Sequence, residues 1–83
     1  MAVVLLPSLL ATEACGQARF EVEAETVEAA LRALPVSDLL FDERGRLRSL
    51  VNVYVDGIDV RDRGGLESPA AGEIRVVAAV AGG

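Results

Sequence analysis

Apolar positions along the chain fall into two kinds of pattern, short Val/Leu/Ile runs and one helical stripe. Ala2–Leu6 is a Val- and Leu-rich run that reads as a buried strand, and Pro7 disturbs any pairing beyond it. Residues 11–17, punctuated by Gly16, read as a turn. Arg19-Phe20-Glu21-Val22-Glu23 alternates polar with apolar, the mark of a strand with one wet face. These first two strands are expected to form an antiparallel hairpin. Thr26 suits a helix N-cap, with Glu25 and Glu28 at the end where the helix dipole favours negative charge. Val27, Ala30, Leu31 and Leu34 follow at i, i+3, i+4, i+7, a single apolar stripe. Pro35 predicts the end of that helix after about eight or nine residues.

The stretch from Val36 to Ser49 is the least regular, with Leu39, Leu40, Phe41 and Leu47 available to cover one end of a small core and a short helical turn expected near Asp38. Leu50–Val55 is the strongest strand pattern in the chain. Asp56-Gly57 is a tight-turn signal, and Ile58–Val60 is a short return strand. On the strong strand, Leu50, Asn52 and Tyr54 share one face and Val51, Val53 and Val55 the other; either set suits a core. Residues 61–72 carry Gly64-Gly65, Pro69 and Gly72 and read as turns, and Ile74–Ala79 is the last strand.

The order is strand, strand, helix, strand, short strand, strand, with no internal repeat. One main helix packed across one face of a mixed sheet is an α+β arrangement, the β-grasp (ubiquitin-like) fold. In that fold the first and last strands are commonly central and parallel. A β-grasp domain is therefore expected over residues 1–78, followed by a flexible Gly-Gly tail over 79–83.

Composition narrows the chemistry. Eighty-three residues make one small domain, and 52% hydrophobic with 25% charged residues describes a globular chain. Aromatic residues are only 4%, so the core must be aliphatic and modest in stability. A formal net charge of −5 disfavours nucleic acid. No histidine is present and Cys15 is the one cysteine, which removes zinc clusters, Ser-His-Asp triads and Cys-His pairs. A lone cysteine fits a reducing, cytoplasmic location, and Cys15 is expected as a small, half-buried apolar residue. The acidic run Glu21, Glu23, Glu25 and Glu28 reads as a solvated strand face and a favourable helix start rather than a metal site. Arg44-Gly45-Arg46-Leu47-Arg48 is a local basic patch, read as a solvated loop, with docking to an acidic partner surface as the functional alternative. The apolar start has no basic residue before Arg19 and is too short to span a bilayer, so neither a secretion signal nor a membrane partner is expected.

All eight cations are arginine and lysine is absent. Compositional bias of a GC-rich coding sequence accounts for that. A chain bearing an activated acyl group would also gain from having no lysine amine to attack it. The last strand runs into Val80-Ala81-Gly82-Gly83, small residues and then two glycines. Lacking a Cβ, such an end passes through channels too narrow for other residues.

The series Val51-Asn52-Val53-Tyr54-Val55-Asp56-Gly57, Asp59-Val60-Arg61, Gly64-Gly65-Leu66, Ala71-Gly72-Glu73 and Ala79-Val80-Ala81-Gly82-Gly83 resembles the ubiquitin-like sulfur carriers of the MoaD/ThiS family, most of all its CysO-type carriers. The likeness covers most of the chain and is strongest from Leu50 to Gly83. It implies a protein that is not itself an enzyme. Gly83 would be adenylated by an E1-like adenylyltransferase of MoeB/ThiF type, with or without a rhodanese domain, using ATP and Mg2+. Sulfur would then displace AMP to leave a C-terminal thiocarboxylate, which a sulfur-acceptor synthase would consume in making cysteine, a cofactor or a sulfur-containing natural product. Gly82, Ala81 and Val80 would line the channel as the tail inserts, and no proteolytic processing is expected. The same tail would serve a ubiquitin-like modifier conjugated through Gly83, or a MoaD-type small subunit of molybdopterin synthase; a plain β-grasp binding module with an incidental tail is the remaining alternative.

Overall fold

In the computed structural model, which describes residues 2–70 and 72–78, five strands and three short helices alternate in the order β1 (Ala2–Leu5), α1 (Ser8–Glu13), β2 (Arg19–Val22), α2 (Val27–Arg32), α3 (Ser37–Leu40), β3 (Val51–Val55), β4 (Ile58–Asp59) and β5 (Gly72–Ala78). The sheet order is β2-β1-β5-β3-β4. β1 lies parallel to β5 and antiparallel to β2, while β3 lies antiparallel to both β5 and β4. The expected mixed sheet and its parallel first and last strands are therefore present.

One face of this sheet is dry. Ala2, Val4, Val51, Val53, Val55, Ile74 and Val76 are buried on it, and Phe20 and Val22 pack against its margin. Val51, Val53 and Val55 are thus the core set of β3, leaving Asn52 and Tyr54 on the opposite face. The α2 stripe Val27, Ala30, Leu31 and Leu34 closes over them, joined by Val36, Leu40 and Phe41. Leu47 packs at the edge of that cluster, whereas Leu39 points outward at 42% exposure.

Local chemistry starts and stops the elements. The Thr26 hydroxyl accepts a hydrogen bond from the Ala29 N–H at 3.1 Å, capping α2, which spans six residues and closes at Ala33, two before Pro35. Beyond it, Glu25–Val27 is tied to Ser68–Ala70: the Val27 N–H donates to the Ser68 carbonyl and the Ala70 N–H to the Glu25 carbonyl, each at 3.0 Å. Pro69, in a bridge with Thr26, sits in this strap before β5. Residues 60–63 and 65–67 form 3-10 turns, so Val60 leaves the return strand and turns into the core.

Helix α1 takes the first part of the turn expected over residues 11–17, and the turn itself is confined to residues 14–16. Pro7 ends β1 and stands immediately before α1, at φ −69°, a backbone angle its ring already imposes. Leu6, Leu10 and Ala14 recur every fourth residue, and with Ala11 they are buried. At the far end the Gly16 N–H donates to the Ala11 carbonyl at 2.8 Å, a Schellman closure that puts Cys15 in the left-handed position at φ +60°. That is why Cys15 is exposed rather than half-buried: its side chain leaves the helix end toward solvent.

The β3–β4 connection is the Asp56-Gly57 turn, with both residues at positive φ (+50° and +84°) as a two-residue type I′ hairpin requires. Asp56 also fastens β5, since its carboxylate accepts from the Glu73 N–H at 3.0 Å and its own N–H donates to the Glu73 carbonyl at 2.9 Å. Gly72, at φ +68°, lies under that carboxylate, and a Cβ there would overlap it. We expect Gly72→Ala to destabilise the fold by about 1–3 kcal/mol, from left-handed strain plus the displaced carboxylate. Urea unfolding checks this; an unchanged midpoint would show that β5 enters the sheet without the Asp56 clamp.

Candidate functional site

β5 is the middle strand of the five; β1 pairs with it as far as Arg75, and β3 as far as its last described residue, where Ala78 pairs with Val51. Gly83, Gly82, Ala81 and Val80, the residues singled out from the sequence, lie outside the described residues, as does Ala79. The structure defines what surrounds the point where β5 hands over to them.

That surround is the loop leading into β3. The Val51 N–H donates to the Arg48 carbonyl at 3.0 Å, and the Arg48 N–H donates to the Leu40 carbonyl at 2.8 Å, so the loop is fixed to both β3 and α3. Asp42 folds its centre. One carboxylate oxygen accepts from the Arg44 and Arg46 N–H groups at 2.9 and 3.0 Å, and the Asp42 N–H donates to the Arg46 carbonyl at 2.7 Å. The Arg46 N–H, aided by that of Arg44 and by the Arg46 and Arg48 charges, outweighs partial desolvation and holds the Asp42 carboxyl below its ordinary range. Arg32 braces the loop from α2: it pairs with Glu28 at 3.0 Å, donates to the Gly45 carbonyl at 2.9 Å and stacks its guanidinium 4.1 Å from the Phe41 ring centre. Sequence reading placed a basic patch here but missed this bracing, because Asp42 and Arg32 carry no local signal of their partners.

Beside the loop is a shallow groove of about 250 Å3 bordered by Leu47, Val51, Val53, Val60 and Leu66. Asp59 and Arg61 at its rim bind each other at 2.8 Å. The Arg61 side chain, then its backbone N–H, lowers the Asp59 carboxyl from its usual range. The remaining polar surface is the face of the sheet opposite the core. Cross-strand register sets Glu21, Val3 and Glu73 in one row and Arg19, Leu5, Arg75, Tyr54 and Asp59 in the next. Its ion pairs, Arg19–Glu21 at 3.6 Å and Arg75–Glu73 at 3.2 Å, are solvated and contribute little to stability. Among the described residues no group of three or more His, Cys, Asp or Glu side chains is arranged to hold a metal ion, so the Glu21–Glu28 run does not converge. No helix among them is long and apolar enough to cross a membrane.

Cys15 lies at the end of α1, a helix whose Leu10 and Ala11 pack into the core, and its thiol is exposed. A Cys15→Ser variant is expected to support every reaction of the tail at the wild-type rate. A variant that is correctly folded but inert would make the exposed thiol a relay.

No protein-family model matches the chain. Curated relatives do: the sulfur carrier protein CysO of Mycobacterium tuberculosis is 33% identical over 89 aligned residues, covering 96% of each chain. Among solved structures, M. tuberculosis CysO superposes with a TM-score of 0.83 at 30% identity, covering 96% of this chain and all of that one. The Amycolatopsis orientalis BexX/CysO complex contains a chain that matches over the full length of both, with a TM-score of 0.81 at 28% identity. SAMP1 of Haloferax volcanii matches with a TM-score of 0.75 at 28% identity, covering 99% of this chain and 98% of that one.

Proposed function

From the premise that this chain belongs to the MoaD/ThiS family of ubiquitin-like sulfur carriers, as a CysO-like member that is not itself an enzyme, we propose that it carries sulfur as a thiocarboxylate on Gly83. The observation that carries the reading is the full-length likeness to CysO proteins together with the Val80-Ala81-Gly82-Gly83 series that follows the central strand.

The chemistry assigns the chain one task, to present a narrow carboxylate. In this reading Gly83 is the terminal residue of the mature protein. An E1-like adenylyltransferase of MoeB/ThiF type, with ATP and Mg2+, joins the Gly83 carboxylate to AMP and releases pyrophosphate. The resulting mixed anhydride is a good electrophile where the free carboxylate is a poor one. Hydrosulfide then attacks the acyl carbon and AMP departs, leaving sulfur in place of one oxygen; a persulfide donor needs a thiol as well, to cleave the S–S bond. The thiocarboxylate delivers this sulfur to an acceptor synthase into which the tail inserts. The A. orientalis complex supports the view that members of this family work in the grip of a partner protein.

The likeness to SAMP1, whose Methanosarcina acetivorans counterpart is named small archaeal modifier protein 1, favours a second reading, conjugation of Gly83 to amines of other proteins. One experiment separates the two. The purified chain is incubated with the E1-like enzyme encoded in its genome, ATP, Mg2+ and sulfide, and its intact mass is measured. A gain equal to exchanging one oxygen for sulfur supports the carrier. Conjugates of higher mass in cells, without that gain, support the modifier. Neither result, with an enzyme that is active on ATP, would sink both.

A further inference from the structure

Arg44, Arg46 and Arg48 are all exposed on the loop that precedes β3. Other arginines are tied down: Arg19, Arg32, Arg61 and Arg75 each meet a carboxylate at 2.8–3.6 Å, and Arg63 donates to the Val55 carbonyl. Among the described residues the three loop arginines pair with no carboxylate, and the Arg48 guanidinium reaches only the Asp38 carbonyl, at 3.5 Å. The turn beneath them is rigid. Asp42 spends its carboxylate on the backbone N–H groups of Arg44 and Arg46, and Arg32 holds the Gly45 carbonyl. Three unpaired cations are therefore presented from a preorganised frame, which lowers the entropy lost when a partner engages them.

Their position matters more than their number. Ala78 stands opposite Val51, whose N–H is bonded to Arg48, so the loop flanks the point from which residues 79–83 depart. Five extended residues reach about 17 Å at most. An enzyme that works on Gly83 must bring its surface within that distance of Ala78, which puts this loop within its reach. Outside residues 42–48, which also hold Asp42 and Glu43, the chain carries five arginines against eleven acidic residues, so the rest of the molecule repels an acidic surface and orients the approach.

Resting on the sulfur-carrier reading above, we infer that the Arg44–Arg48 loop is the electrostatic docking contact for an acidic rim around the tail channel of the adenylating partner. The loop sets the encounter rate and the register of entry, while the tail supplies the reacting group.

The test is steady-state pyrophosphate release by the E1-like enzyme encoded in the same genome, with the intact chain as substrate and no sulfur donor. The triple variant Arg44→Gln/Arg46→Gln/Arg48→Gln should lose about tenfold in kcat/KM at low salt, almost wholly through KM. Wild-type kcat/KM should fall as NaCl rises, whereas the variant's should be nearly flat. The double variant Arg44→Gln/Arg46→Gln, which leaves Arg48 and its hydrogen bond intact, should show an intermediate loss with an unchanged melting curve. Equal kcat/KM and equal salt dependence for wild type and triple variant would overturn the docking role and leave the carrier reading standing. If the wild-type chain itself elicits no pyrophosphate release, the carrier reading fails and this inference with it.

Discussion

Deletion of Gly83 is expected to abolish sulfur loading altogether while leaving the melting curve where it is. The two effects separate because the core and the sheet pairing among the described residues are built from residues up to Ala78. The reaction, by contrast, needs its carboxylate at one depth in the partner's site. Removing one residue withdraws the reacting atom by about 3.5 Å, and far smaller misplacements cost catalysis about 100-fold. Gly82→Trp tests the channel rather than the reach: the carboxylate remains, but a bulky side chain must enter where a residue without Cβ is proposed to pass. A loss of about 100-fold or more is expected there too. A Gly83 deletion that still gains sulfur would place the carried group elsewhere in the chain.

The largest stability effect is expected at Leu31, fully buried where α2 crosses the sheet. Leu31→Ala truncates the fully buried leucine of that stripe and leaves a cavity among branched aliphatic neighbours that cannot collapse to fill it. The cost is about 3 kcal/mol, and for a domain of this size the melting temperature should fall by about 10–20 °C. Per-residue scaling gives such a chain about 4–12 kcal/mol in total, so this one change consumes a large share. Leu39→Ala is the matched control. With Leu39 at 42% exposure, the same chemical change should cost only about 0.5 kcal/mol or less. Similar losses at the two positions would contradict the assignment of the core face of α2 and α3. Loading of Leu31→Ala measured well below its melting point should be normal, because Leu31 is distant from the tail chemistry in every step proposed.

Legibility of the fold tracked how local its determinants are. Strand β3, the Asp56-Gly57 turn and the Thr26 cap are each decided by residues adjacent in sequence, and each stands where their pattern places it. Helix α1 did not stand out because Leu9-Leu10 continues the apolar run of β1 across Pro7, hiding the fourfold spacing of Leu6, Leu10 and Ala14. Cys15 was misjudged for a related reason. Its exposure follows from the helix ending one residue earlier, a position that glycine usually fills. The choice of core face on β3, the fastening of β5 by Asp56 and the bracing of the arginine loop by Arg32 all depend on residues far apart in the chain. No single segment announces them. The tail is the reverse case: its chemistry is written in residues 80–83, which lie outside the described structure, and its family likeness gives that series its meaning.

The most direct measurement uses the absence of lysine. Trypsin then cuts only after arginine, and cleavage after Arg75 releases residues 76–83 as one peptide. The chain is treated with its E1-like enzyme, ATP, Mg2+ and sulfide, digested under denaturing conditions, and that peptide is fragmented in the mass spectrometer. A mass gain of one sulfur for one oxygen, confined to the fragment containing Gly83, is the predicted result. The same gain on the peptide holding Cys15, or an unmodified 76–83 peptide from a protein whose intact mass has shifted, would contradict the assignment of Gly83 as the sulfur-bearing residue.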